Sequence, residues 1–307
     1  MGHAPRPVAL SSLDFPFPVP AEGAPVEILP GLFWLRLPLP FALDHVNVWL
    51  LDDGAGWTVI DTGYGDDRTR AIWAPVLAGR PLTRLLVTHF HPDHAGLVGW
   101  LADKTDAPLA MARTEWLTAR WLALDASEQL LDSADAHYAA AGLSAELRKR
   151  LRARGNAYRR GVGLPPASFT RLAAGDEVTA GGSRWRVIVA EGHAPEQVTL
   201  WSAERNLLIA ADQLLPRITP VVGVWPMQPE ADPLGDFHRS LERYAELPAD
   251  ALVLPSHERP YRGLHTRRAQ LAAHHAERLD RVASLCRVPR TTAEVMDGLF
   301  PSSLDLH

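Results

Sequence analysis

The sequence predicts an α+β chain whose strands gather in two separate halves, and three observations carry the prediction. Short apolar, β-rich runs crowd the region from Val26 to Ile60 and return after residue 180. From about Thr114 to Tyr158 the chain reads as helix, and it turns helical again after Leu264. Residues able to bind metal recur at the ends of the β-rich runs, where a rigid core can hold them while leaving them open to substrate.

In chain order, Gly31–Leu37 alternates loosely and Val46–Leu51 runs to the turn Asp52-Asp53-Gly54, a pair of antiparallel strands. Trp57–Ile60 continues the sheet, and Thr69–Leu77 is helix-like. Leu85-Leu86-Val87 forms the end of a strand, with a helix from Ala95 to about Leu101 after it. The second half offers Trp185–Val189, Leu207–Ala210 and Ala251–Pro255 as strands. A helix over Thr266–Ala283 follows, then a short one before Phe300 with Thr292 as its cap.

The chemistry concentrates in Thr88-His89-Phe90-His91-Pro92-Asp93-His94-Ala95-Gly96. A strand ending at Val87 presents His89 and His91 on one face, because strand side chains alternate. Asp93 and His94 fall where the next helix takes over. Four such groups cannot comfortably reach one ion, and they divide between two neighbouring ions, the arrangement of two-metal hydrolysis. A run of surface histidines is the competing reading. It is disfavoured because loop residues seldom fall directly behind a buried strand.

This H-x-H-x-D-H string resembles the signature of the metallo-β-lactamase superfamily, a resemblance that implies an αββα sandwich and further ligands at the later strand ends. Gly192-His193, Asp212 and Ser256-His257 occupy those places. The resemblance implies that His89, His91 and His193 hold one ion, that Asp93, His94 and His257 hold the second, and that Asp212 bridges both, with Asp93 and Asp212 as the catalytic carboxylates. It implies two divalent ions, zinc first, with iron or manganese as alternatives. Asp61-Thr62-Gly63 resembles the superfamily's first, non-ligating motif. Asp61 there accepts the free ring N–H of a ligand histidine or caps a turn in which Gly63 takes a positive φ, two roles that can hold together.

The implied activity is a dinuclear hydrolase using a metal-bridging hydroxide on an ester, thioester or lactone, similar to the glyoxalase II and lactonase branches. The alternative is an endoribonuclease or phosphodiesterase of the same fold. A non-catalytic binding protein is disfavoured by the full ligand set. The expected partner is a small-molecule acyl substrate, with nucleic acid less favoured, no membrane, and a homo-oligomer left open.

The chain of 307 residues is read as a metallo-β-lactamase-like domain over 1–265, with a helical insertion at about 114–160, and a helical tail over 266–307. That tail resembles the start of a winged helix, but too few residues follow Phe300 for the wing, so it is a truncated or reduced form. The one cysteine, Cys286, permits no internal disulfide. Met1–Arg6 lacks the apolar core of a secretory signal, no run is long enough to span a bilayer, and a cytoplasmic protein is expected. A net charge of −5 offers polyanions no global attraction.

In the insertion, Trp116 and Trp121 are candidate substrate contacts, with core packing as the plainer role for either. The basic run Arg148–Arg154 with Arg159 and Arg160 is a solvated helix face or, less favoured, a dock for an anion. His45, in the segment Phe41–Asn47, is a candidate substrate contact or a turn residue beside Asp44.

Overall fold

The computed structural model describes residues 12–300, so the Met1–Arg6 segment and the last residues of the tail lie outside the described residues. The first half runs β1 (Val26–Leu29), β2 (Leu32–Pro38), β3 (His45–Asp52), β4 (Trp57–Ile60), α1 (Asp67–Gly79), β5 (Leu82–Val87), α2 (Pro92–Ala95), α3 (Val98–Thr105) and β6 (Leu109–Ala112). The insertion supplies α4 (Arg113–Leu124), α5 (Glu128–Ala140), α6 (Ala145–Ala153) and α7 (Tyr158–Gly161). The second half comprises β7 (Thr170–Leu172), β8 (Glu177–Ala180), β9 (Ser183–Ala190), β10 (Gln197–Ser202), β11 (Leu207–Ala211), α8 (Pro233–Glu242), β12 (Leu252–Pro255), α9 (Leu264–Leu285) and α10 (Thr292–Leu299).

Strand periodicity explains the layering. In β3, Val46, Val48 and Leu50 point to one apolar layer while Trp49 and Leu51 point to another, and in β11 Leu207 and Ile209 part from Leu208 and Ala210 in the same way. A strand buried on both faces needs something apolar on each side. The central layer is sheet against sheet, with Trp34, Trp49 and Ile60 meeting Trp185, Val187 and Leu200. Trp73, Val98 and Leu101 cover the outer face of the first sheet, and Phe237, Tyr244, Leu264 and Leu271 cover that of the second. The sheets have seven strands in the order β1 to β7 and five in the order β12-β11-β10-β9-β8. The αββα sandwich implied by the motif is therefore the fold.

Several boundaries differ from the sequence reading. The helix expected from Ala95 is two pieces, α2 and α3, so Asp93 and His94 lie inside a short helix rather than ahead of a long one. The cap of α10 is Thr291, one residue before the expected Thr292. Glu294 stands three residues after Thr291, and the two exchange side-chain to backbone bonds in a capping box. The division at 265/266 falls inside the sandwich, since Leu264, Arg267 and Leu271 of α9 are buried against the second sheet. Among the described residues no helix is long and apolar enough to cross a membrane.

Candidate metal centre

The four ligand-bearing loops leave the same ends of β5, β9, β11 and β12, so the sandwich brings together all seven residues expected from the motif. Three groups of donor atoms converge: His89, His91 and His193; His89, His94 and Asp212; and Asp93, His94 and His257. His89 Nε2 lies 3.0 Å from His91 Nδ1 and 3.2 Å from His193 Nε2. Asp212 faces both sides of the cluster. Its Oδ2 is 3.3 Å from His193 Nε2, and its Oδ1 is 3.4 Å from His94 Nε2 and 3.5 Å from His257 Nε2. Asp93 Oδ2 lies 3.4 Å from both His94 Nε2 and His257 Nε2.

The outward ring nitrogens decide which nitrogen faces inward. His94 Nδ1 is 2.8 Å from Asp61 Oδ2, His193 Nδ1 is 2.7 Å from the Val221 carbonyl, and His257 Nδ1 is 2.8 Å from the His45 carbonyl. A carboxylate or carbonyl only accepts, so each of these Nδ1 atoms carries a proton and each Nε2 is the nitrogen turned toward the cluster. Thr88 Oγ1 donates to Asp61 and in turn accepts from His89 Nδ1 at 3.0 Å. The Nε2 atoms of His89 and His193, whose Nδ1 atoms both donate outward, stand 3.2 Å apart, where two lone pairs repel unless a cation stands among them. His94 Nε2 and Asp212 Oδ1 are buried with no hydrogen-bond partner. The residues thus fit a pair of divalent ions, with imidazole and carboxylate donors and no thiolate.

Electrostatics separates the two sides. Burial, reinforced by neighbouring imidazoles, holds His89 far below the ordinary histidine value and brings His91 to about 3, so both are neutral ligands. Around Asp93 and Asp212 burial opposes ionisation, yet His94 and His257 outweigh it and keep both carboxylates charged. The same pairing overcomes the effect of burial on His94 and His257, lifting His257 to about 10. A metal bound there displaces those protons.

Backbone strain gathers at the same place. Asp61 (φ 66°), Ala211 (φ 46°) and Glu258 (φ 66°) are left-handed without being glycine. Ala211 precedes Asp212 and Glu258 follows His257. Such conformations persist where the surroundings over-determine them, and they cluster at functional sites. Gly192 (φ 104°) has a simpler reason, since a Cβ there would stand 2.5 Å from Phe237 N and Pro233 O of α8. The loop carrying His193 can lie that close to the helix only as glycine.

The motif around Asp61 performs both roles expected of it. Its carboxylate accepts from Thr88 N at 2.8 Å as well as from His94, while Gly63 takes φ 81°. Thr62 donates from both N and Oγ1 to the His94 carbonyl. His45 is placed differently from expectation. It begins β3, its Nδ1 donates to Asp44, and its Nε2 accepts from Glu258 N at 2.8 Å. It braces the His257 loop and is not part of the cavity wall, which Phe41, four residues earlier, lines instead. Trp116 is likewise turned away. It stacks on Phe169 at 4.4 Å and donates to the Pro166 carbonyl, whereas Trp121 lines the cavity.

Three supporting residues went unnoticed in the sequence. Asn47 is fully buried and donates to the Pro255 and Glu258 carbonyls, both at 2.9 Å, bracing the loop of His257. Tyr158 donates to the Phe90 carbonyl at 2.6 Å. Glu115, at the start of α4, accepts from Phe90 N at 2.9 Å and from Glu196 N at 2.5 Å, while Glu196 accepts from Thr114 N at 2.7 Å. One buried carboxylate thus ties the loop of His89 and His91 to the loop of His193.

Burial lifts the Glu115 carboxyl from its ordinary 4.5 to about 7, against two backbone N–H donors that favour its charge. The folded protein therefore binds this proton more tightly than the unfolded chain. Its stabilising contribution is complete below about 4.5 and is lost as pH rises through 7. Relative to Glu115→Gln, which does not titrate, the parent should lose on the order of 3 kcal/mol between about pH 4 and pH 8. Urea unfolding of both proteins across that range measures it; a constant difference refutes it.

A cavity of about 910 Å³ opens beside the first cluster, with His91 and Pro92 in its wall and the insertion over it. Two arginines of the basic run are engaged by carboxylates within the insertion: Arg148 pairs with Asp135 at 2.7 Å, and Arg152 with Glu128 at 2.5 Å and Asp132 at 2.8 Å. These pairs zip α6 to α5. Lys149 and Arg150 face solvent.

Comparison with known proteins agrees with this fold. Residues 42–283 match the family model described as the metallo-beta-lactamase superfamily. A probable metallo-hydrolase of Bacillus subtilis, YqjP, is 24% identical over 283 residues, covering 87% of this chain and 84% of the relative. The crystal structure of a beta-lactamase domain protein from Burkholderia ambifaria is 40% identical with a TM-score of 0.88, covering 95% of this chain and 87% of that one. A metallo-beta-lactamase family protein of Thermus thermophilus is 30% identical with a TM-score of 0.79, covering 90% and 89%.

Proposed function

This chain belongs to the metallo-beta-lactamase superfamily and is a metal-dependent hydrolase, and from that premise we propose that it holds two divalent ions and cleaves a carboxylic ester, thioester or lactone of a small molecule. The observation that carries the substrate class is the cavity beside His91, walled mainly by apolar side chains and roofed by a helical pair in which Arg148 and Arg152 already have carboxylate partners. A nucleic-acid backbone needs a track of available cations leading to the site. Arg148 and Arg152, which line the cavity, are engaged by carboxylates, which leaves the endoribonuclease reading with less support.

In this reading His89, His91 and His193 hold the first ion, Asp93, His94 and His257 hold the second, and Asp212 offers one oxygen to each side. When bound, the ions supply a water acidified from ~16 to ~7 and a Lewis acid for the developing oxyanion. The chain's own part is to fix the donors. Asp61, Val221 and His45 set the tautomers of His94, His193 and His257, so that no ring must reorient during turnover. Asp93, with 19% of its side chain exposed against 8% for Asp212, is the ligand carboxylate open to solvent and suited to pass a proton to the leaving group. Zinc is the proposed metal, iron and manganese being compatible with the same donors. A cytoplasmic location fits the single, exposed Cys286.

Protein purified under metal-replete conditions should carry two ions per chain by elemental analysis. A ratio that stays at one removes the dinuclear reading. Assay of esters, thioesters and lactones beside phosphodiesters and RNA tests the substrate class: turnover confined to phosphodiesters or RNA would overturn it.

A further inference from the structure

Resting on the acyl-hydrolase reading above, we infer that the cavity is a binding pocket for one large apolar group of the substrate, a long alkyl chain or a fused aromatic system, seated on the His91 side of the centre. Helix α5 is the first reason. Leu130, Leu131, Ala134 and Tyr138 recur at helical spacing and make one apolar face. Such a face normally docks on a core, yet no residue of α5 is buried, and all four line the cavity. The helix carries an apolar stripe that the described residues leave only half-buried.

The opposite rim has the same character. Phe41, Trp121 and Trp225, each 40% exposed, and Met227, 38% exposed, all face the cavity. Single exposed apolar residues are ordinary, but several large ones around one mouth mark a contact surface. Trp225 also reaches the centre, its ring lying 6.1 Å from those of Phe90 and His91. An occupant between Trp225 and α5 would therefore bring its attached carbonyl to the first ligand cluster.

Most polar side chains of the wall are already satisfied. Asp125 accepts from Trp121 Nε1 at 3.0 Å and Ser127 N at 2.8 Å, and Asn156 donates to the carbonyls of Leu122 and Asp125 at 2.7 and 2.8 Å. Arg148 and Arg152 are held by the carboxylates of α5. A wall so engaged rewards burial of hydrocarbon more than hydrogen bonding. At about 910 Å³ the space lies toward the top of the roughly 300–1,000 Å³ range in which drug-sized ligands bury most of their surface, and an acetyl group would leave it nearly empty.

The test uses the metal-loaded protein and two ester series, nitrophenyl esters with the acyl chain lengthened from acetate to dodecanoate, and acetate esters with the alcohol lengthened likewise. Full burial gains about fourfold per methylene. In one series, which identifies the side of the ester that enters, kcat/KM should rise at least tenfold from butyl to octyl. The neutral probe N-phenyl-1-naphthylamine should bind with enhanced fluorescence. Ala134→Trp, which fills the space from α5, should flatten the series and weaken probe binding at least tenfold with metal content retained. Leu130→Asn is the second variant, expected to flatten the series by making the wall polar. Ester turnover with no dependence on length in either series, or with both variants leaving the length dependence and probe binding intact, overturns the pocket while leaving the hydrolase reading in place. Probe binding that Ala134→Trp abolishes, in a protein that cleaves no ester, thioester or lactone, supports the pocket and overturns the acyl-hydrolase reading instead.

Discussion

Replacing Asp212 by alanine is expected to lower kcat/KM by on the order of 10³-fold or more while leaving the fold in place. Asp212 is the one side chain whose two oxygens divide between the clusters, Oδ2 toward His193 and Oδ1 toward His94 and His257. If two ions are held as proposed, its loss would remove a donor from each together with the negative charge that balances them. Behind it, Leu207, Leu208 and Ile209 of β11 stay packed in two apolar layers, and none touches the centre through Asp212. Metal content should drop below two per chain, with the thermal midpoint of the metal-free variant close to that of the metal-free parent. Turnover comparable to the parent, with metal content confirmed, would show that Asp212 does not bridge.

The cluster was legible because its residues carry two signals at once, a side chain able to bind metal and a position following an apolar run. The layers were legible for a related reason: strands such as Val46–Leu51 are apolar at nearly every position, so both their faces must be covered. What supports the ligands was not legible. His193 and His257 are oriented by the carbonyls of Val221 and His45, and a carbonyl leaves no trace in a sequence. Glu115 acts on Phe90 and Glu196, 25 and 81 residues away, and nothing local marks it among other helix-starting acids.

The two tryptophans of α4 show the same boundary. Five positions at about 100° each put Trp116 and Trp121 on different faces of one helix, so at most one of them could face substrate. Which one depends on how α4 docks on the sandwich, and Ala119 and Leu122, buried in its core, settle that in favour of Trp121. The basic run gave an incomplete picture too, because the carboxylates that engage Arg148 and Arg152 sit on α5, a turn of chain away. Charge read along a sequence counts cations, whereas an anion meets only those without partners.

Asp61 separates support of the fold from support of the metal, and two substitutions there should have different consequences. The carboxylate is 2% exposed, accepts from Thr88 N and Thr88 Oγ1 and, through Oδ2, from His94 Nδ1 at 2.8 Å. Asp61→Ala leaves those buried donors unsatisfied, at about 1–3 kcal/mol each, and places a Cβ-bearing residue with no side-chain hydrogen bond at φ 66°. It should destabilise the protein by roughly 3 kcal/mol or more and lose activity with it. Asn tolerates the left-handed backbone and offers one acceptor. Its oxygen can serve Thr88, but its NH2 then faces His94 Nδ1. That ring must become an acceptor there and carry its proton on Nε2, the atom that points at Asp93 and Asp212. Asp61→Asn is therefore expected to fold within about 1 kcal/mol of the parent while metal affinity falls 10- to 100-fold, with kcat/KM following it at limiting metal. Competition with a chelator measures the affinity, and urea unfolding the stability. An Asp61→Asn protein that binds metal as tightly as the parent would mean that the His94 tautomer is not set by Asp61, and would reduce this carboxylate to a cap for the Thr88 backbone.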